Sequence, residues 1–105
     1  MSNEILMKAA QWLEDNEWCQ EAEAYGPDCF PYDVEILRSE GAEPVACCAV
    51  GALKLAAGGH SMVLERTGAV LARHLGLRGS TIPEWNDKPG RTKEEVIQAM
   101  REAAK

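Results

Sequence analysis

The apolar positions of this chain fall into helical stripes around one stretch that is apolar almost all the way round. In the first turns Ile5, Leu6, Ala9, Trp12 and Leu13 recur at the i, i+3, i+4, i+7 spacing of one helix face, and Lys8, Gln11, Glu14 and Asp15 fall mostly on the other. Ser2 or Asn3 stands where a capping side chain would start such a helix, which the pattern predicts to run to about Asn16. Glu17 to Tyr25 repeats the periodicity more briefly, with Trp18, Ala22 and Tyr25 on one side, and Gly26-Pro27-Asp28 ends it. Glu14, Glu17 and Glu21 share a helical spacing, so the two segments read either as two helices or as one bent helix carrying an acidic stripe.

Pro44 to Gly59 is different. Lys54 is its only charged residue, Pro44 opens it and Gly58-Gly59 closes it. A helix without a polar stripe is buried on most of its circumference, so about residues 44–58 are expected to form a central helix with the others packed around it. Met62 to Leu77 follows, with Ser61 as the expected cap and Leu64, Thr67, Gly68, Leu71 and Leu75 facing inward. Thr92 with Glu95 three residues on forms a capping box for a last helix whose apolar face is Val96, Ile97 and Met100. Residues 26–43 settle no period. They read as irregular structure with a short helical turn after Pro31, a hairpin pivoting near Glu40-Gly41 being the alternative. Residues 79–90 read as a loop. The expectation is an all-α, compact bundle of four to five helices in a single domain, 1–105.

Composition sharpens this picture in three places. With 46% hydrophobic and 27% charged residues over 105 positions, the chain can build one core without metal or disulfide staples. No apolar run has the length of a membrane span, and Met1 to Lys8 lacks the pattern of a signal peptide. The four cysteines, Cys19, Cys29, Cys47 and Cys48, are therefore expected as free thiols in the cytoplasm of a bacterial host. The net charge of −6 is polarised: residues 1–43 hold eleven acidic and two basic side chains, residues 44–105 six acidic and nine basic. An acidic half argues against direct binding to nucleic acid, whose phosphates demand clustered Lys and Arg.

Candidate chemistry is sparse. Cys47 or Cys48 with His74 and Asn86 reproduces the Cys-His-Asn chain order of papain-like peptidases, and a thiol near a helix N-terminus has its thiolate favoured. Small thiols on so apolar a segment are more often core residues, and those peptidases carry their His on a sheet that this pattern does not predict. Cys19, Cys29, Cys47 or Cys48 with His60 or His74 would make a zinc set, but the C-x(2–4)-C knuckles of structural zinc are missing. No catalytic set, metal or cofactor is assigned. The run Trp85-Asn86-Asp87-Lys88-Pro89-Gly90-Arg91 is a structured helix-entry loop in one reading, with Arg91 able to pair with Asp87. In the other it is a protein-binding site, since Trp and Arg are enriched in hot spots. The candidate binding residues are Trp85, Asn86, Asp87 and Arg91, together with Glu14, Glu17 and Glu21.

Trp18-Cys19-Gln20, C-A-V-G-A-L at Cys48 to Leu53, Trp85-Asn86-Asp87, and R-T-x-x-E-V at Arg91 to Val96 occur in that order. The set resembles a group of small uncharacterised phage and actinobacterial proteins classed as a domain of unknown function. Members commonly carry a Trp or another large residue where this chain has Cys47. The resemblance implies a phage or prophage origin and no activity. Together these readings predict a small cytosolic, non-enzymatic protein that binds a host or phage protein. The alternatives are a thiol-dependent enzyme using Cys48 or Cys47, and an acidic mimic of nucleic acid built on Glu14, Glu17 and Glu21.

Overall fold

Helix α1 (Ser2–Asp15) buries Leu6, Ala9 and Leu13 of the expected stripe together with Ala10, and leaves Ile5 and Trp12 half-buried, in a computed structural model that describes residues 2–105. Ser2 is already helical, and the Asn16 side chain closes the helix by donating to the Trp12 carbonyl at 2.9 Å. The chain then turns into β1 (Glu17–Trp18), β2 (Ala24–Tyr25) and β3 (Pro31–Tyr32), followed by α2 (Val34–Ser39), β4 (Ala46–Cys47) and α3 (Ala49–Ala57). Helices α4 (Ser61–Leu75), α5 (Ile82–Asn86) and α6 (Lys93–Ala103) complete it. The protein is mostly helical but not all-α, because a small mixed sheet is built into it. The strand order is β1-β4-β2-β3, with β1 parallel to β4, and β2 antiparallel to both β4 and β3.

The sheet corrects three expectations. The Glu17–Tyr25 segment is two strands joined by a tight loop rather than a helix, so Glu14, Glu17 and Glu21 form no stripe. The hairpin lies between β2 and β3, pivoting at Gly26–Phe30, while Glu40-Gly41 merely closes α2. The central helix begins at Ala49, since Ala46–Cys47 is spent on β4 and Cys48 is the N-cap, its sulfur accepting the Gly51 N–H. Each strand is two residues long, too short for a period of two to declare itself.

The core lies between α1, α3 and α6, with α4 across one side. Leu6 and Leu13 of α1, Leu53 of α3, Leu71 of α4 and Val96 and Met100 of α6 are all at most 1% exposed. No residue of α3 is fully exposed, as its composition demands. Gly58 and Gly76 end α3 and α4 in the left-handed conformation. Helix α4 starts at Ser61, the expected cap, so its N-cap is His60 one residue earlier, and Thr92 and Glu95 form the expected capping box of α6.

Sheet and helices meet at Gly51. A Cβ there would stand 2.1 Å from the backbone oxygen of Glu23, which also accepts the Cys48 N–H at 3.0 Å. The loop backbone thus crosses the first turn of α3 at a distance only glycine permits. Gly51→Ala gains up to about 1 kcal/mol of helix propensity, yet must push a hydrogen-bonded backbone aside. The expected net result is a loss of at least about 2 kcal/mol in urea unfolding. A neutral or stabilising effect would show that the contact is not tight.

Candidate functional site

Thr81 accepts the Glu84 N–H, Glu84 accepts the Thr81 N–H, and Pro83 occupies the first turn, so Ile82–Asn86 forms the short helix α5 inside the expected loop. Its last residue, Asn86, is fully buried. The Asn86 Oδ1 accepts from Trp18 Nε1 at 2.7 Å and from the Ala49 N–H at 3.0 Å. Its Nδ2 donates to the Cys19 carbonyl at 3.1 Å and to Asp87 Oδ1 at 2.9 Å. Two donors facing one end of the amide and two acceptors facing the other fix its orientation and exhaust its bonding capacity.

The shell around Asn86 extends the same logic. Asp87 Oδ1 also accepts the Glu21 N–H at 3.0 Å, and Gln20 Nε2 donates to the Asn86 and Lys88 carbonyls at 3.0 and 3.1 Å. Arg91 donates from Nε to the Trp85 carbonyl at 3.0 Å, lays its guanidinium 4.1 Å from the Trp85 ring centroid, and reaches Glu95 at 3.4 Å. Its partners are therefore Trp85 and Glu95, not Asp87. The four ordered sequence motifs meet here: Trp18-Cys19-Gln20 from β1, the start of α3, Trp85-Asn86-Asp87 from α5, and Arg91 at the entry to α6. Trp18 and Gln20 belong to this cluster although periodicity gave no sign of it, because their bonds span 66 residues or more of chain.

The acidic candidates are not assembled with it. Glu21 is drawn in only through its backbone, in a left-handed conformation at φ 66°. Glu17 is exposed on β1, and Glu14 pairs with Arg101 of α6 at 2.7 Å.

A cleft of about 210 Å³ opens beside Asn86, lined by Glu21, Glu23, Cys48, Val50, Pro83 and Asp87. A groove of about 470 Å³ runs past Trp85, Arg91 and His74 towards Glu102. The Cys-His-Asn idea fails on this layout. His74 lines the groove, 3.6 Å from Glu102, and Cys48 lines the cleft. Burial also pushes the Cys48 thiol up, outweighing the Gly51 and Val50 amides that favour its thiolate. Cys47 is 0% exposed with its pKa raised chiefly by burial, and burial pushes Cys19 up to about 12. Burial thus favours the protonated form of these three thiols over the thiolate that a nucleophile needs. Among the described residues no group of three or more His, Cys, Asp or Glu is placed to hold a metal ion.

Asn86→Asp keeps the shape of the amide but removes both donors and sets a second carboxylate beside Asp87. A loss of about 3 kcal/mol or more is expected in urea unfolding, against about 1 kcal/mol for Trp18→Phe, which deletes one bond. Equal, small losses would show that the amide is not the joint.

The hydrogen bond from Arg101, then its charge, holds the Glu14 carboxyl below its ordinary range. A depressed carboxyl stabilises fully above its unfolded value and loses that contribution as pH falls through the folded one. Glu14→Gln should therefore lower the melting temperature at neutral pH, with the difference from wild type closing in acid. A gap that persists in acid would mean the pair contributes nothing through charge.

A family described as one of unknown function, DUF6197, matches residues 2–105. No curated protein and no solved structure matches the chain.

Proposed function

We infer that this chain, which belongs to the DUF6197 family of unknown function, is a non-enzymatic protein that acts by binding another protein, of phage or host origin. One observation carries the reading: the side chains that could have supplied chemistry are consumed by the fold. Asn86 spends its whole amide on Trp18, Ala49, Cys19 and Asp87, Cys47 is sealed in the core, and Cys48 caps α3. A catalytic amide or thiol needs a free valence directed at substrate.

No helix among the described residues is long and apolar enough to cross a membrane. All four cysteines are free, which suits the reducing cytoplasm of a bacterial host. The phage or prophage origin rests on the resemblance of the ordered motifs. The alternative of nucleic-acid mimicry by Glu14, Glu17 and Glu21 loses its motivation, since these side chains lie on different elements and Glu14 is neutralised by Arg101.

Affinity capture with tagged protein from bacterial lysate at modest salt, followed by reconstitution with the purified candidate, is expected to give a stoichiometric complex in sedimentation. Recovery of nothing above background across several hosts would sink the reading. In the same preparation iodoacetamide should label exposed Cys29 in the native protein and reach Cys47 and Cys48 only after denaturation. Native labelling of Cys48 ahead of Cys29 would restore the thiol enzyme.

A further inference from the structure

The formal charge of the chain is concentrated in one short segment. Between Gln20 and Glu43 seven acidic side chains stand against a single basic one, Arg38, which makes −6, the net charge of the whole protein. This segment builds the β2–β3 hairpin and α2 on one side of the molecule. Lys54 of α3 pairs with Glu23 at 2.8 Å and with Glu35 at 2.9 Å. Glu21, Asp28, Asp33, Glu40 and Glu43 have no ion-pair partner among the described residues.

The same face exposes apolar surface. Phe30, the only phenylalanine, is 64% exposed and Ile36 of α2 is 45% exposed. A groove of about 340 Å³ is lined by Ile36 and by Pro31, next in the chain to Phe30, together with Glu21, Glu23, Tyr32 and Asp33. Phe30 is held outward by its turn: Asp28 Oδ1 accepts its N–H at 3.1 Å, and its carbonyl accepts the Gly26 N–H at 3.0 Å. Between them Cys29 adopts φ 69°. It and Glu21, which lines the groove, are the two non-glycine residues with positive φ in the described chain. Edge strand β3 offers little for strand addition, because Pro31 carries no N–H. Recognition here must run through side chains.

We propose that the face formed by the Gly26–Phe30 turn, β3 and α2 docks a basic segment of a protein partner. Aliphatic side chains of that segment meet Phe30 and Ile36, while its lysines or arginines meet Glu21, Asp33 and Glu40. Charge complementarity selects this occupant, since a second copy of the chain would bring like charge to the same face. The proposal rests on the protein-binding reading above and gives it a location and a partner chemistry.

The test uses the full chain and a fluorescein-labelled peptide of about twelve residues alternating lysine and leucine, read by anisotropy at low salt. Amide shifts of the isotope-labelled wild type map the site. Shifts centred on residues 21–36 are expected. The triple variant Glu21→Gln, Asp33→Asn, Ile36→Ala should weaken binding about tenfold. Glu65→Gln with Glu94→Gln, which removes the same charge elsewhere, should change it less than about twofold. Equal weakening in both variants, or no binding by wild type, overturns the proposal. So does self-association of the peptide-free protein that Ile36→Ala abolishes. Shifts centred on Trp85 and His74 overturn it too, but leave the protein-binding reading standing, whereas failure of lysate capture bears on that reading alone.

Discussion

A buried amide that can make four hydrogen bonds, and makes them, decides how the two halves of this protein meet. Asn86 receives Trp18 and Ala49 at its oxygen and offers its nitrogen to Cys19 and Asp87. One side chain thereby ties the first strand, the N-terminus of α3 and the end of α5 into a single joint. Leaving any one of those groups unpaired in the interior costs about as much as several surface ion pairs contribute. The joint is also where the four short motifs of the sequence converge. They supply the two indoles, the amides, the helix start and the guanidinium that close one network.

Gly51 is the second fixed point, and it works by absence. The Glu23 backbone crosses α3 where a methyl group would stand, and the Cys48 N–H bonds to the same oxygen. Asn86 and Gly51 together pin residues 18–23 from opposite ends. That is why a loop with a left-handed Glu21 can hold its shape beside two-residue strands that have little stability of their own.

What the sequence made legible follows from the range of the forces involved. The α1 and α6 stripes and the Thr92–Glu95 box are local, so their periods and spacings could be read directly. The segment Glu17–Tyr25 imitates a helical period, and only its pairing with β4, more than 20 positions further along the chain, makes it strand. Tertiary pairing overrode local pattern there. The short helix α5 carried a readable sign, since Thr81 and Glu84 repeat the spacing of Thr92 and Glu95, but Gly79 and Pro83 beside it suggest a loop. Among the candidate site residues, Trp85, Asn86, Asp87 and Arg91 do come together, in a structural role. Glu14 and Glu17 do not join them, because the helix that would have aligned them is absent. The exposure of Phe30 was not legible, as nothing in composition says which side of a turn a phenylalanine takes.

The division of labour is therefore the reverse of what polarised charge alone suggests. Residues with varied chemistry, Cys47, Cys48, Trp18, Trp85 and Asn86, are spent on architecture. The segment with the least local pattern, 26–43, carries the unneutralised charge and the exposed aromatic. Like charges crowded on one face oppose folding, and Lys54 relieves only Glu23 and Glu35. A fold that needed stability alone could place lysines among Glu21, Asp33 and Glu40, whose side chains stand in water and constrain no packing. Retaining the repulsion, and clamping Phe30 outward through a left-handed Cys29, is a cost with no return inside the monomer. On the docking proposed above, the return lies outside it, in a partner whose positive charge relieves the repulsion and whose apolar side chains cover Phe30 and Ile36.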